Sequence, residues 1–504
     1  MGVLGSTKLG RGRWFPLAMV VFGGMVPCFG DESPDANSRM NCLLITADDL
    51  GIQLGCYGDR QAVTPRLDGF ASDAVRFEVA YVAQASCSPS RSAMLTGWYP
   101  HTNGQIGLAN ALGGLPPDQR FAIHPHLRDQ TLVNRLHDAG YFTGCIGKLH
   151  INPEKSFKFD RRYKDGFGDR RITRQWEHMR TFLDEAGDRP FFLMANVFDP
   201  HVEAVTQNGR RTGTTRFPKQ VDGVPKHPRT ADNFEPFPFQ RIDHPKMMRR
   251  VANYYNCVER ADAGIGGFLD VLNATGHADD TVVIVLGDHG PPVCRGKTTC
   301  YEAGLRVPFL VRWPGVTHGS VSDRMVSAVD IAPTFYEAAH VRPADGLHGR
   351  SLRPILSAGT DEAGDDAAGG PTGWRAYLVA EFHYHGDRPY YPRRAVRDDR
   401  YKLIWNVRSD STQPHRGVDG CPAASLANQL PEDSKLRQVF ARMQNPPEWE
   451  LYDLTIDPWE MDNIADQPGM RGVKDRLFEA LSRWREQTGD HTFDVQAIRH
   501  PEAS

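Results

Sequence analysis

Ser86-Cys87-Ser88-Pro89-Ser90-Arg91-Ser92-Ala93-Met94-Leu95-Thr96-Gly97 is the segment from which the rest of this 504-residue chain can be read. A cysteine acting as a plain nucleophile needs a histidine base and an oxyanion hole. No neighbour in the segment supplies them. The spacing fits another use. Cys87 and Arg91 stand four residues apart, so they share a face at the start of a helix. There the free backbone N–H groups and the positive end of the helix dipole favour an anion. Pro89 is tolerated in a first turn, where its missing N–H is no loss.

Reading outward, apolar runs alternate with helical stretches, and several runs end in polar side chains. Asn41-Cys42-Leu43-Leu44-Ile45-Thr46 runs into Ala47-Asp48-Asp49, the pattern of a buried parallel strand with two carboxylates at its C-terminal end. Open α/β sheets gather ligands at that edge; a solvated turn or helix cap would also explain the two Asp residues. A helix over Gln130–Ala139 precedes a strand whose following loop carries Lys148 and His150. Arg189–Phe198 is a further strand, followed by Asp199-Pro200-His201. Thr281–Leu286 ends in Gly287-Asp288-His289-Gly290, and Lys297 stands shortly before Tyr301-Glu302-Ala303-Gly304. Arg306–Val311 is another core strand; Met247–Ala274 and Ser327–Ala338 are helical. Residues 205–245 lack a period and are expected to form a long insertion loop. Residues 358–373, rich in Ala, Gly, Asp and Pro, read as a flexible link. Beyond them, Arg375–Glu381 and Arg394–Asn406 read as strands and Gly472–Thr488 as a closing amphipathic helix. Glu381–His385 and Arg393-Arg394 fit ligand contacts (sugar contacts, on the resemblance given below) and C-terminal surface equally well.

The length allows one large domain and a smaller one. A formal net charge of -3 gives no global basic field for nucleic acid. Lys8, Arg11 and Arg13 precede the apolar run Trp14–Val26, which is short and glycine-broken for a membrane span. Residues 1–30 therefore read as a secretory signal, with a retained anchor or lipidation at Cys28 as alternatives. Residues 31–40 read as a polar linker. Nine cysteines in 504 residues do not make a disulfide scaffold, although Cys294 and Cys300 are near enough in sequence to bridge a loop.

The pattern C-x-P-S-R-x-x-[LM]-L-T-G over Cys87–Gly97 resembles that of the type I sulfatases, and the likeness extends from about residue 41 onward. It is carried also by the Thr64-Pro65-Arg66-Leu67-Asp68 segment, by Gly147-Lys148-Leu149-His150, and by Glu450-Leu451-Tyr452-Asp453-Leu454. Within the family the segments are most similar to the heparan N-sulfatase branch. The resemblance implies an α/β, alkaline-phosphatase-like sandwich at 41–357, with a large mixed, mainly parallel sheet between helices. It implies a smaller C-terminal α+β subdomain with an antiparallel sheet at 374–504.

It also implies that Cys87 is oxidised to formylglycine by a formylglycine-generating enzyme. Asp48, Asp49, Asp288 and His289, with an oxygen of modified Cys87, match the family's metal ligands. Three carboxylates suit a hard cation, Ca²⁺ first, though imidazole is a less natural calcium ligand. The hydrated aldehyde would attack sulfur through one hydroxyl, its pKa lowered by the cation, and expel sulfate through the other. An unmodified thiol has one exchangeable proton and would stay sulfated. Arg91, Lys148 and Lys297 would offset charge on the sulfuryl oxygens, His201 would protonate the leaving atom, and His150 would assist as base. The expected protein is a secreted or periplasmic (in a eukaryote, lysosomal) sulfatase acting on a sulfated carbohydrate, N-sulfoglucosamine foremost. Alternatives are an O-sulfatase on another polysaccharide, a phosphonate or phosphodiester hydrolase, and a catalytically dead glycan-binding relative. No nucleic-acid partner or stable membrane insertion is expected; a homodimer is left open.

Overall fold

Eight strands form the main sheet of the computed structural model: β1 (Asn41–Asp48), β2 (Val75–Phe77), β3 (Phe142–Ile146), β4 (Arg161–Tyr163), β5 (Phe191–Pro200), β6 (Thr281–Gly287), β7 (Phe309–Arg312) and β8 (Ser320–Ser322). The structure describes residues 2, 39–111, 120–166, 168–207, 210–357, 373–386, 390–409 and 419–491. The predicted signal segment, nearly all of the 31–40 linker and most of the 358–373 link lie outside these residues.

The strand order is β8-β2-β7-β6-β1-β5-β3-β4. From β6 to β4 every neighbouring pair is parallel, and β7 runs antiparallel to both β6 and β2. The sheet is thus mixed and mainly parallel, as expected. All residues of β1, β5 and β6 are buried. Strands covered on both faces read as unbroken apolar runs, which is why the sequence displays them so plainly.

Helices cover the faces. They include α1 (Cys87–Thr96), α2 (Ile172–Ala186) and the long α3 (Pro245–Ala274). Ala47 pairs with Gly287, and Asp48 pairs with Pro200 after a bulge. This register sets the ends of β1, β5 and β6 side by side. Residues 205–245 are not loop throughout: Glu203–Gln207 and Arg210–Arg216 pair as an antiparallel hairpin. Among the described residues no helix is long and apolar enough to cross a membrane.

A second sheet, β9 (Leu378–Phe382), β10 (Arg393–Arg397), β11 (Tyr401–Asn406) and β12 (Trp449–Asp453), is wholly antiparallel. Helix α4 (Arg471–Thr488) packs Leu477, Ala480 and Leu481 against its Val379, Val396, Leu403 and Leu451. Arg394 is neither a sugar contact nor a surface residue. Its Nε and Nη2 donate to Asp490 Oδ2 and Oδ1 at 2.7 and 2.8 Å, with both side chains fully buried.

Arg394→Ala should therefore cost about 3–5 kcal/mol in urea unfolding, because the buried Asp490 carboxylate would lose its bidentate partner and keep Arg485 Nε only at 3.5 Å. Arg394→Met combined with Asp490→Leu should recover most of that loss. Burial pushes the Asp490 carboxyl up, but Arg394 outweighs it and holds the pKa below the ordinary value. A depressed folded-state pKa contributes stability above the unfolded value near 3.9 and loses it as pH falls below that. The double variant should lack this part of the acid limb.

Candidate functional site

Helix α1 starts at Cys87, with Ser86 extended at its N-cap and Gly97 left-handed at its C-cap. Every residue from Cys87 to Thr96 is buried. The Cys87 sulfur therefore sits at a helix start inside the protein, pointing at the strand ends.

Those ends deliver the carboxylates. The bulge between Ala47 and Asp48, and the left-handed backbone of Asp49 (φ 68°), turn both Asp side chains toward Cys87. Asp288 follows β6 and accepts the Asp49 backbone N–H at 2.9 Å through Oδ1. His289 comes next, where the chain runs tight against its neighbours: a Cβ on Gly290 would collide with the Ala303 carbonyl. Ligand atoms of Asp48, Asp49, Cys87 and His289 all lie within 4.8 Å of one another. Asp288 adjoins this group, its Oδ1 3.7 Å from His289 Nε2.

Three cations answer the three carboxylates. Lys148 Nζ meets Asp48 Oδ2 at 2.5 Å, Lys297 Nζ meets Asp49 Oδ1 at 2.8 Å, and Arg91 Nε meets Asp288 Oδ2 at 2.9 Å. Arg91 is further fixed through Nη1, which donates to Thr46 Oγ1, the Lys148 carbonyl and Asn196 Oδ1. Its Nη2 has no hydrogen-bond partner and lies 3.8 Å from Asp48 Oδ1.

The imidazoles complete the ring. His289 Nδ1 donates to the Gly290 carbonyl at 2.9 Å, which turns Nε2 toward Cys87 Sγ (3.3 Å) and Asp49 Oδ1 (3.2 Å). Burial opposes its charge, but Asp288, Cys87 and Asp49 outweigh burial and push its pKa up to about 9, so a cation bound at Nε2 would displace a proton. His201 Nδ1 donates to the Val202 carbonyl at 2.6 Å, and its Nε2 lies 3.8 Å from Asp49 Oδ2. His150, left-handed at φ 58°, pairs Nε2 with Asn110 Oδ1 at 3.1 Å, and burial lowers its pKa against the opposing pull of Cys87.

The electrostatics follow from burial plus this alternation of charge. Burial raises the Cys87 thiol, but Lys148, Lys297 and His289 outweigh it and hold the pKa well below a free cysteine's. Burial, then the charge on Asp48, pushes Asp288 up to about 7. Burial opposes a charged His201, yet Asp49 and Asp48 raise its pKa.

Buried Asp48 Oδ1 and Asp49 Oδ2 have no hydrogen-bond partner. Buried carboxylate oxygens without partners are costly unless something positive completes them. With His289 Nε2, which can ligate once it gives up its proton, the donor set fits a divalent cation.

All the predicted site residues thus converge on one edge of the main sheet. Others join them that the sequence did not mark. Thr46 and Asn196 hydrogen-bond each other at 2.6 Å and hold Arg91; a polar residue inside an apolar strand was the available signal. Asp419 lies 3.4 Å from Lys297 Nζ, and His385 Nδ1 meets Ser86 Oγ at 2.9 Å. Asp419 comes from distant C-terminal chain with no motif to flag it, whereas His385 ends the Glu381–His385 stretch that the sequence left open between ligand contact and surface. The Cys294–Cys300 bridge is absent: both thiols are free, and Cys294 Sγ instead faces the Cys421 carbonyl at 3.8 Å.

A large parallel-centred sheet with buried acids, bases and a helix-start cysteine at its rim is an arrangement suited to hydrolysis at an anionic group. Residues 40–341 match the sulfatase family model, and 292–413 match the model for the C-terminal part of N-sulphoglucosamine sulphohydrolase. The chain belongs to the sulfatase family and is a sulfate ester or sulfamate hydrolase. It is 30% identical to human (Homo sapiens) N-sulphoglucosamine sulphohydrolase over 486 residues, covering 89% of this chain and 90% of that one. It is 28% identical to an ulvan-active sulfatase of Formosa agariphila over 468 residues, 91% and 82% of the two chains. Its alkaline-phosphatase-like fold is shared with a protein solved in complex with its substrate D-glucosamine-2-N,6-O-disulfate (TM-score 0.63, 20% identity, 91% of this chain and 100% of that one).

Proposed function

We propose that this protein removes sulfate from a sulfated glycan, with N-sulfoglucosamine residues of heparan type as the first choice of substrate. The observation that carries the reading is the convergence of Cys87 with Asp48, Asp49, Asp288 and His289 among three buried cations. The 30% identity to N-sulphoglucosamine sulphohydrolase over nine-tenths of both chains favours the N-sulfated sugar.

In this reading Cys87 is oxidised to formylglycine by a maturation enzyme, supplying a hydrated aldehyde as nucleophile. Asp48, Asp49, Asp288 and His289 hold Ca²⁺, which supplies Lewis acidity toward an oxygen on residue 87. Lys148 and Lys297 offset charge on the sulfuryl oxygens, exchanging their present carboxylate partners for the substrate. Arg91 fixes Asp288 and adds positive potential from below. His201, with a raised pKa, protonates the leaving nitrogen or oxygen, and His150 accepts a proton as sulfate leaves. The catalytic part spans 41–357 and the C-terminal subdomain 374–504, and the protein acts after export.

Mass spectrometry of the peptide containing residue 87, with sulfate release from defined sulfated disaccharides, tests the reading. Aldehyde at residue 87 and release from an N-sulfated glucosamine are the expected results. Turnover of phosphonate or phosphate diesters alone would overturn it.

A further inference from the structure

A cavity of about 410 Å³ opens beside the constellation, within the size range of small-molecule pockets. Lys148 and His150 line one side of it; Glu154, Arg162 and Lys164 also line it and take no part in the chemistry above. Glu154 Oε1 accepts from Arg162 Nε and from Lys164 Nζ, both at 2.8 Å. One carboxylate against two cations leaves this wall with a net positive charge.

The two cations differ in freedom. Arg162 belongs to β4, and its Nη1 donates to the carbonyls of Cys145 (3.2 Å) and Tyr163 (2.9 Å). Its side chain is 18% exposed, so it is a fixed point of charge. The Lys164 side chain is 55% exposed, and Glu154 is its one ionic partner among the described residues. It can swing toward an incoming anion while Arg162 keeps Glu154 in place. As a surface ion pair the trio contributes little to stability. Facing a cavity that also holds Lys148, it is placed to read a ligand.

We infer that the Glu154–Arg162–Lys164 wall is a subsite for a second anionic group, sulfate or carboxylate, on a substrate whose scissile sulfate sits at Cys87. This rests on the sulfatase reading above. Glu154 acts as a gate of charge: without substrate it neutralises half the wall, and a weak single anion competes poorly with it. A ligand held at both ends avoids that penalty, because its first anion is already bound.

The test is calorimetric titration of the full chain carrying Cys87→Ala, which cannot turn substrate over. The probes are glucosamine N-sulfate, glucosamine N,6-O-disulfate and a uronate-linked glucosamine N-sulfate. A doubly anionic probe should bind about tenfold more tightly than the singly charged one, the worth of one charge-assisted contact. Whichever of the two gains identifies the second group as sulfate or carboxylate. Lys164→Ala should erase the gain and Lys164→Arg should keep it. Glu154→Gln should enlarge it about threefold by freeing both cations.

A merely structural trio would make Glu154→Gln and Lys164→Ala change in the same direction. Equal affinity for all three probes, no binding of any, or an equal loss for singly and doubly charged probes in Lys164→Ala would each overturn the subsite. The parent enzyme, with Cys87 intact, separates this from the broader reading. Sulfate release without discrimination removes only the subsite. Discrimination in binding with no sulfate released from any probe removes only the sulfatase chemistry.

Discussion

Cys87→Ser is expected to lower kcat/KM for sulfate release by on the order of 10⁵ while the protein stays folded. The size of the effect comes from what the side chain must do twice. It must take the sulfuryl group, then give it up. A serine hydroxyl can at most do the first, because after sulfation it has no proton left with which to expel sulfate. Mass spectrometry should then find the variant sulfated at residue 87 in a stoichiometric amount that does not turn over. The fold should survive because serine is nearly the same size and is well accepted at a helix start. Cys87 also packs at the first position of α1, not among the helix-to-sheet contacts of the core. Far-UV circular dichroism and the thermal midpoint should match those of the parent within a degree or two. Multiple turnovers by the serine variant at more than a hundredth of the parent rate would overturn the assignment of residue 87.

The edge of the sheet was legible because parallel strands in register put their C-terminal ends together. Asp48-Asp49, His201 and Asp288-His289 follow β1, β5 and β6, which are adjacent in space though separated by more than 230 residues of chain. Each buried strand announced itself as an apolar run, and each run pointed at a polar tail. What escaped notice lay where that logic is silent. Thr46 and Asn196 hide inside the runs, and only the buried guanidinium of Arg91 explains why a strand interior should hold them. Asp419 reaches the site from beyond the second sheet's first strand, a tertiary placement that local pattern cannot express, and the contact of His385 with Ser86 decides between the two readings the Glu381–His385 stretch allowed. Arg394 read equally well as a sugar contact or as surface; its bidentate pairing with Asp490, almost a hundred residues on, replaces both readings. Cys294 and Cys300 were near in sequence, but the intervening turn carries the two thiols apart, toward different neighbours.

Removal of divalent cations should lower activity by roughly 10³ and make the protein easier to melt, and both effects should reverse on adding Ca²⁺. The site without a cation keeps its three carboxylates in balance only by spending its three cations on them: Lys148 on Asp48, Lys297 on Asp49, Arg91 on Asp288. Even so, Asp48 Oδ1 and Asp49 Oδ2 stay buried without a hydrogen bond, 3.8 Å from Arg91 Nη2 and 3.8 Å from His201 Nε2 respectively. A cation would complete those oxygens and free the lysines for the substrate, so affinity for metal and for sulfate should rise together. A cation present at a hundred times its Kd adds about 2.7 kcal/mol to the folded state. Asp49→Asn removes one charge from the cluster and leaves Lys297 leaning on Asp419 alone. That variant should lose most of the cation-induced shift in melting temperature, and its activity should no longer respond to chelator. Mg²⁺ in place of Ca²⁺ should restore less of both, because three carboxylates delivered by two different strand ends suit the more permissive geometry of the larger ion. Full activity after exhaustive chelation would remove the cation from the reaction. An undiminished cation shift in Asp49→Asn would place it somewhere other than beside Cys87.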